Sequence, residues 1–221
     1  MTFDGSPCEL TTATLAKALA PREISARDAL EAHLARISAR DARLSAFITV
    51  DADGARRQAD AYDAARGPTR PLHGVPIAVK DLTNTRGLRT TYGSLLFKDH
   101  IPEQDELVVA RFRQAGAVII GKTNTPEFGF GAVCTNRLCG PTRNPFDLAL
   151  TSGGSSGGSA VGRRNRNGLS RSRHGFWRLR ADAGKFLRCR LDPPDPWPNS
   201  GARPSARLGY ARDTRAFGSH R

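Results

Sequence analysis

Pro71-Leu72-His73-Gly74-Val75-Pro76-Ile77-Ala78-Val79-Lys80-Asp81 holds an apolar core between a glycine and a charged pair. Gly74 to Val79 is a short apolar run that reads as a strand. It ends on a lysine. A lysine acts as a base only when neutral, and burial at the end of an apolar strand is one way to make it so. Taken alone, Lys80 reads first as an exposed residue closing a strand.

On either side of this segment, the chain alternates helices with apolar strands. Leu10 to Ala20 has helical spacing and stops at Pro21. Ser25 opens a second helix, with Asp28 three residues on in the manner of a capping box. Leu30, Leu34 and Ile37 share one face of that helix. Ala46 to Val50 reads as a strand, and Asp51 to Arg66 as an Ala-rich helix ended by Gly67-Pro68. After the Lys80 strand, Asp105 to Ala115 reads as a helix, and Gly116 leads into a strand from Ala117 to Ile120. Such alternation predicts an α/β fold, a sheet layered with helices.

The 221 residues carry a net charge of +13, but the charge is uneven. Residues 1–161 hold 19 Lys+Arg against 17 Asp+Glu, whereas residues 162–221 hold 15 against 4, and 14 of those 15 are Arg. Beyond Val161 there is no Val, Ile, Glu, Gln or Met. A segment of that kind has little to bury and much to repel, so it is expected to be disordered. Met1 to Leu10 lacks the basic and apolar regions of a secretory signal, and no run reaches the roughly 18 apolar residues of a membrane span. The four cysteines, Cys8, Cys134, Cys139 and Cys189, show no metal-type spacing. These features favour reduced thiols and a cytoplasmic setting.

Thr151 to Ala160 reads T-S-G-G-S-S-G-G-S-A, which as bare composition is a flexible linker. Its company argues otherwise. Upstream lie G-V-P-I-A-V-K-D, then Gly121-Lys-Thr-Asn-Thr-Pro-Glu127-Phe-Gly, then Asn144-Pro145. This combination, in this order, resembles the amidase-signature family. The match is specific from about residue 70 to 161, and residues 1–69 fit its helical lead-in more loosely. The resemblance implies an α/β fold with a mixed sheet layered with helices, incomplete on its C-terminal side. It divides the chain into a lead-in (1–69), the N-terminal part of the core (70–161) and a tail (162–221).

The resemblance also implies hydrolysis of a small-molecule amide by a Lys–Ser–Ser triad, with no cofactor and no metal. Lys80 matches the base. Ser155 matches the serine preceded by a cis peptide, which relays protons. A second serine, further on, is the nucleophile and forms an acyl-enzyme. Asp81 reads as a packing or hydrogen-bonding neighbour, and Ser156 and Ser159 as scaffold or spacers. Glu127 reads as a helix cap or surface ion pair as readily as a site residue.

The nucleophile segment of the family, D-x-G-G-S-x-R-x-P-A-x-x-C-G, is absent. Residue 162 onward reads G-R-R-N-R-N-G-L-S-R-S-R-H-G-F-W. Back-translation supplies a reason. Shifted by one base, the codons of residues 175–189 permit D-S-G-G-S-A-R-T-P-A-S-F-C-G, with the nucleophilic serine where this chain has Leu179, 24 residues after Ser155. The same shift permits a small-residue helix over 162–174 and a family-like W-D-T-L-G-T-P-G-P-L-A-R over 208–219. We therefore expect a frame change near Val161 and an inactive chain.

Two other readings are weighed. The Arg-rich tail, with Phe176, Trp177 and Phe186, could grip nucleic acid, but out-of-frame GC-rich codons already account for its arginines, so no specific nucleic-acid or membrane partner is expected. Within the amidase class, the parent is a stand-alone amidase or the glutaminase component of a glutamyl-tRNA amidotransferase, its A subunit. Lys80 and Ser155 suit both, and the sequence alone leans to the stand-alone enzyme. Nothing in it sets an oligomeric state.

Overall fold

The structure is a computed structural model that describes residues 6–65 and 69–164. The expectation of a disordered tail and the position of Leu179 lie outside the described residues.

Two helices come first, α1 (Thr12–Leu19) and α2 (Ala26–Leu44). Thr11 caps α1 by accepting from the Thr14 amide at 3.1 Å, and Ser25 caps α2 by accepting from the Asp28 amide at 2.9 Å. The end of α2 is equally local. Ser45 adopts a left-handed conformation (φ 48°), and the Asp41 carboxylate accepts from the Ala46 amide at 2.8 Å, turning the chain into strand β1 (Phe47–Val50). Asp51 then caps α3 (Ala52–Ala64) through the Gly54 amide at 3.0 Å. Strand β2 (Pro76–Lys80), helix α4 (Leu107–Gln114), strand β3 (Val118–Thr123) and helix α5 (Gly157–Arg164) follow.

The three strands form a mixed sheet in the order β1-β3-β2, with β2 parallel and β1 antiparallel to β3. Its two faces follow the period of two along the strands. Val75, Ile77, Val79, Ala117 and Ile119 pack with Leu15 and Leu19 of α1 and Val109 of α4. Val118 and Ile120 face Ala26, Leu30 and Leu34 of α2 and Ala55 and Ala59 of α3. Full burial of each such Leu, Ile or Val side chain is worth about 1.5–3 kcal/mol, so these two layers hold the sheet.

Strand β3 runs on to Thr123, past the end expected at Ile120. The reason is Gly121. Pairing goes Ile77↔Ile119 and then Ala78↔Gly121, so β3 carries one extra residue, a bulge. A β-carbon at Gly121 (φ 155°) would stand 3.0 Å from Val50 Cα, so only glycine lets β1 and β3 pair across it. The bulge shifts the alternation by one. Lys122, opposite Val79, turns to the α1/α4 face, and Thr123, opposite Lys80, turns to the other.

Among the described residues, no helix is long and apolar enough to cross a membrane.

Candidate active site

Lys80 closes β2, and its Nζ donates to Ser155 Oγ at 2.9 Å and to Ser156 Oγ at 3.0 Å. The structure thus brings together the two residues singled out from sequence, 75 positions apart. Burial pulls the Lys80 pKa down from its ordinary value, and the neighbouring Cys134 works weakly the other way. The Gly154–Ser155 peptide is cis.

The Gly/Ser run is a packed turn, which overturns its reading as a free linker. Thr151 bridges to Arg143, and Gly153 adopts φ 74° while its carbonyl accepts from the Cys134 amide at 3.2 Å. Helix α5 then starts against the sheet. A β-carbon at Gly157 would lie 2.5 Å from Cys134 Cβ, and one at Gly158 would lie 2.6 Å from the carbonyl oxygens of Ala46 and Asn124. The glycines are there because the side chains of Ser152 and Cys134 crowd Gly157 and the backbone of Ala46 and Asn124 crowds Gly158. Ser159 Oγ lies 2.6 Å from Thr123 Oγ1, tying α5 to β3 beside the Lys80 pair. Ser156 and Ser159 both make hydrogen bonds, so neither is a mere spacer.

Asp81 is fully buried and accepts from the Thr91 amide at 3.1 and 3.2 Å and from the Thr91 hydroxyl. Burial pushes its pKa up, and those hydrogen bonds oppose the shift. It is a hydrogen-bonding neighbour, as read from sequence. Glu127 lies in a single 3-10 turn (Glu127–Gly129), and its partner is the Ser94 hydroxyl at 2.6 Å.

Two residues escaped the sequence reading as individuals. Asn124 is fully buried; its Nδ2 lies within donating distance of Ser45 O (3.2 Å), Gly140 O (3.1 Å) and Thr142 Oγ1 (3.0 Å), joining the α2–β1 turn to the loop that carries Gly140 and Thr142. Lys122 is also fully buried, and burial lowers its pKa to about 8. The available signal was the polar pair Lys122 and Asn124 directly after an apolar strand. Buried polar groups of that kind need dedicated partners.

Chemically, a partly desolvated amine with two hydroxyls at hydrogen-bond distance can take a proton through either of them. Among the described residues no cluster of His, Cys, Asp and Glu could hold a metal ion.

This geometry sits in a region, residues 28–162, that matches the Amidase family model, and the chain belongs to the amidase family. Among curated relatives, the glutamyl-tRNA(Gln) amidotransferase A subunit of Acidothermus cellulolyticus is 50% identical over 154 residues, 68% of this chain and 30% of the relative. That of Geobacter sulfurreducens is 49% identical over 155 residues, 69% of this chain and 32% of the relative. The chain therefore spans about a third of the length of these relatives. Among solved structures, peptide amidase from Stenotrophomonas maltophilia is 35% identical with a TM-score of 0.65, covering 69% of this chain and 33% of its own. A fatty acid amide hydrolase is 28% identical with a TM-score of 0.67, covering 72% of this chain and 29% of its own. The mixed α/β architecture of the amidase-signature fold is thus shared.

Proposed function

We propose that residues 28–162 are the base-carrying part of an amide-bond hydrolase. Neutral Lys80 takes the proton of Ser155 while Ser155 takes that of a serine nucleophile. The nucleophile adds to the amide carbonyl, the proton returns through the same hydroxyl to the departing nitrogen, and water then cleaves the acyl-enzyme. The observation that carries this reading is the 2.9 Å contact between Lys80 Nζ and Ser155 Oγ at the end of a buried strand.

The chain as written has Leu179 where the family resemblance places the nucleophile. We attribute this to a frame change near Val161, and the chain itself is then inactive. Lys80 and Ser155 alone supply a proton path with nothing to activate.

Of the two substrate classes, the identities of 50% and 49% to amidotransferase relatives support the glutamine-hydrolysing lineage over the stand-alone amidase to which the sequence leans.

The test begins with resequencing the DNA around codons 155 to 165. A one-base correction restores an open frame with serine at position 179. The corrected protein hydrolyses simple amides or glutamine, and alanine at that position abolishes the activity. Glutamine hydrolysis that rises with a partner protein marks the amidotransferase lineage. A corrected protein that cleaves neither substrate ends the proposal.

A further inference from the structure

We propose that Lys122 is a positioning residue for Lys80, a buried ammonium that holds the backbone on the carboxyl side of the base. The inference rests on reading Lys80 as the base and adds a residue to that site.

Lys122 Nζ donates to the Thr83 carbonyl, to Thr85 Oγ1 at 2.9 Å and to Thr90 Oγ1 at 3.1 Å. The two threonine hydroxyls spend their own protons elsewhere. Thr85 Oγ1 donates to Thr83 O at 3.2 Å, and Thr90 Oγ1 donates to Leu88 O at 3.0 Å. Both oxygens can therefore only accept from Lys122. Three acceptors face three protons, so the site is complementary to an ammonium and not to an amine, whose lone pair would meet an acceptor. The carboxylates of Asp81, Glu106 and Asp105 supply the compensating charge.

The site of Lys80 has the opposite character. Among the described residues, the hydroxyls of Ser155 and Ser156 donate to no other group, so each can turn its proton toward a neutral Lys80. The hydrogen bonds at Lys80 thus leave room for a neutral amine, whereas those at Lys122 favour the ammonium against the burial that opposes it.

The connection between them is one residue long. The Thr83 amide donates to the Lys80 carbonyl at 3.0 Å, and the Thr83 carbonyl accepts from Lys122. The following residue is fixed as well. The Asp81 amide donates to Thr123 O at 3.1 Å, and the Asp81 carbonyl accepts from the Tyr92 amide at 3.0 Å. Thr90, held by Lys122, adjoins Thr91, held by the Asp81 carboxylate. Lys122 therefore anchors both turns that grip the end of β2.

The test uses the full 221-residue chain labelled with 13C,15N-lysine. Lysine side-chain NMR follows the titration of Lys80 and Lys122, and amide hydrogen exchange follows the loop. In Lys122→Met, Thr83 and Tyr92 lose at least about tenfold in exchange protection, while Leu30 and Ile77 keep theirs. The Lys80 midpoint in that variant moves back toward that of an ordinary lysine as water reaches the amine. Unchanged protection at Thr83 together with an unchanged Lys80 midpoint would overturn the proposal. If Lys122→Met does not fold, Thr90→Val removes a single acceptor. The Lys122 midpoint then falls and Thr83 protection drops, and no change in either overturns the proposal. A neutral Lys122 at pH 6 in the unsubstituted chain also overturns it. An ordinary midpoint for Lys80 in the unsubstituted chain sinks instead the reading of Lys80 as base, and the exchange of Thr83 still decides what Lys122 does.

Discussion

Lys80 and Lys122 stand one register position apart on neighbouring parallel strands and project to opposite faces of the sheet. Lys80 meets the hydroxyls of the Gly/Ser turn, whereas Lys122 meets the loop that follows β2. A single bulge at Gly121 produces this division, because without it Lys122 would share the face of Ile120.

In the frame-corrected protein, Lys80→Met lowers kcat for amide hydrolysis by about 10²- to 10⁴-fold, the usual contribution of a positioned acid–base group. Ser155→Ala has an effect of the same order, since it breaks the proton path and leaves the base in place. Steady-state kinetics with unchanged thermal unfolding of both variants checks this. A loss of less than about tenfold in Lys80→Met would contradict its role.

Gly158→Ala destabilises the fold by about 1–3 kcal/mol, the range of an overpacked core. The added carbon would sit 2.6 Å from two carbonyl oxygens that belong to backbone and cannot turn aside. Because α5 begins two residues after Ser155, its displacement also pulls that serine from Lys80. Urea denaturation gives the first effect, and the Lys80 titration midpoint gives the second.

How much of this was legible in the sequence depends on the range of the interaction. Ser25 and the stripe Leu30, Leu34 and Ile37 announce α2 because capping and helical period act within a few residues. That Lys80 and Ser155 lie in contact was legible because their motifs are specific. Lys122 was not found, since the face it occupies depends on a bulge that only strand pairing reveals. The segment between β2 and α4 was equally opaque. It buries Thr85, Thr90, Thr91 and Ser94 completely, and such burial follows no period that a sequence displays. The glycines at 157 and 158 looked like flexibility, whereas the structure fills the space beside them.

Stability has a pH dependence traceable to Lys122. Its folded pKa of about 8 lies below the value near 10.4 of an unfolded lysine. Between those values the unfolded chain holds a proton that the folded chain has released, so stability rises as pH increases from about 8 to about 10.4. The gain is on the order of 3 kcal/mol. Lys122→Met lacks it, so the difference in unfolding free energy between the two proteins changes by that amount across the window. Chemical denaturation at pH 7, 9 and 10.5 measures it. A constant difference would show that Lys122 titrates normally. At neutral pH the ammonium therefore positions the loop at some cost to global stability.

Asn124→Ala costs about 1–3 kcal/mol, because it leaves the buried Thr125 amide without the Oδ1 acceptor and takes a donor from Gly140 O, whereas Ser45 O keeps the Thr142 hydroxyl. Thermal unfolding reports the loss. A variant as stable as the parent would mean that water replaces the lost partners.

The 75-residue separation of Lys80 and Ser155 has a consequence for the chain as it is made. A nascent polypeptide that has emerged only through β3 already has its three strands but not the serines that Lys80 meets. Lys80 therefore meets its two serines only once the Gly/Ser turn has followed the sheet out of the ribosome.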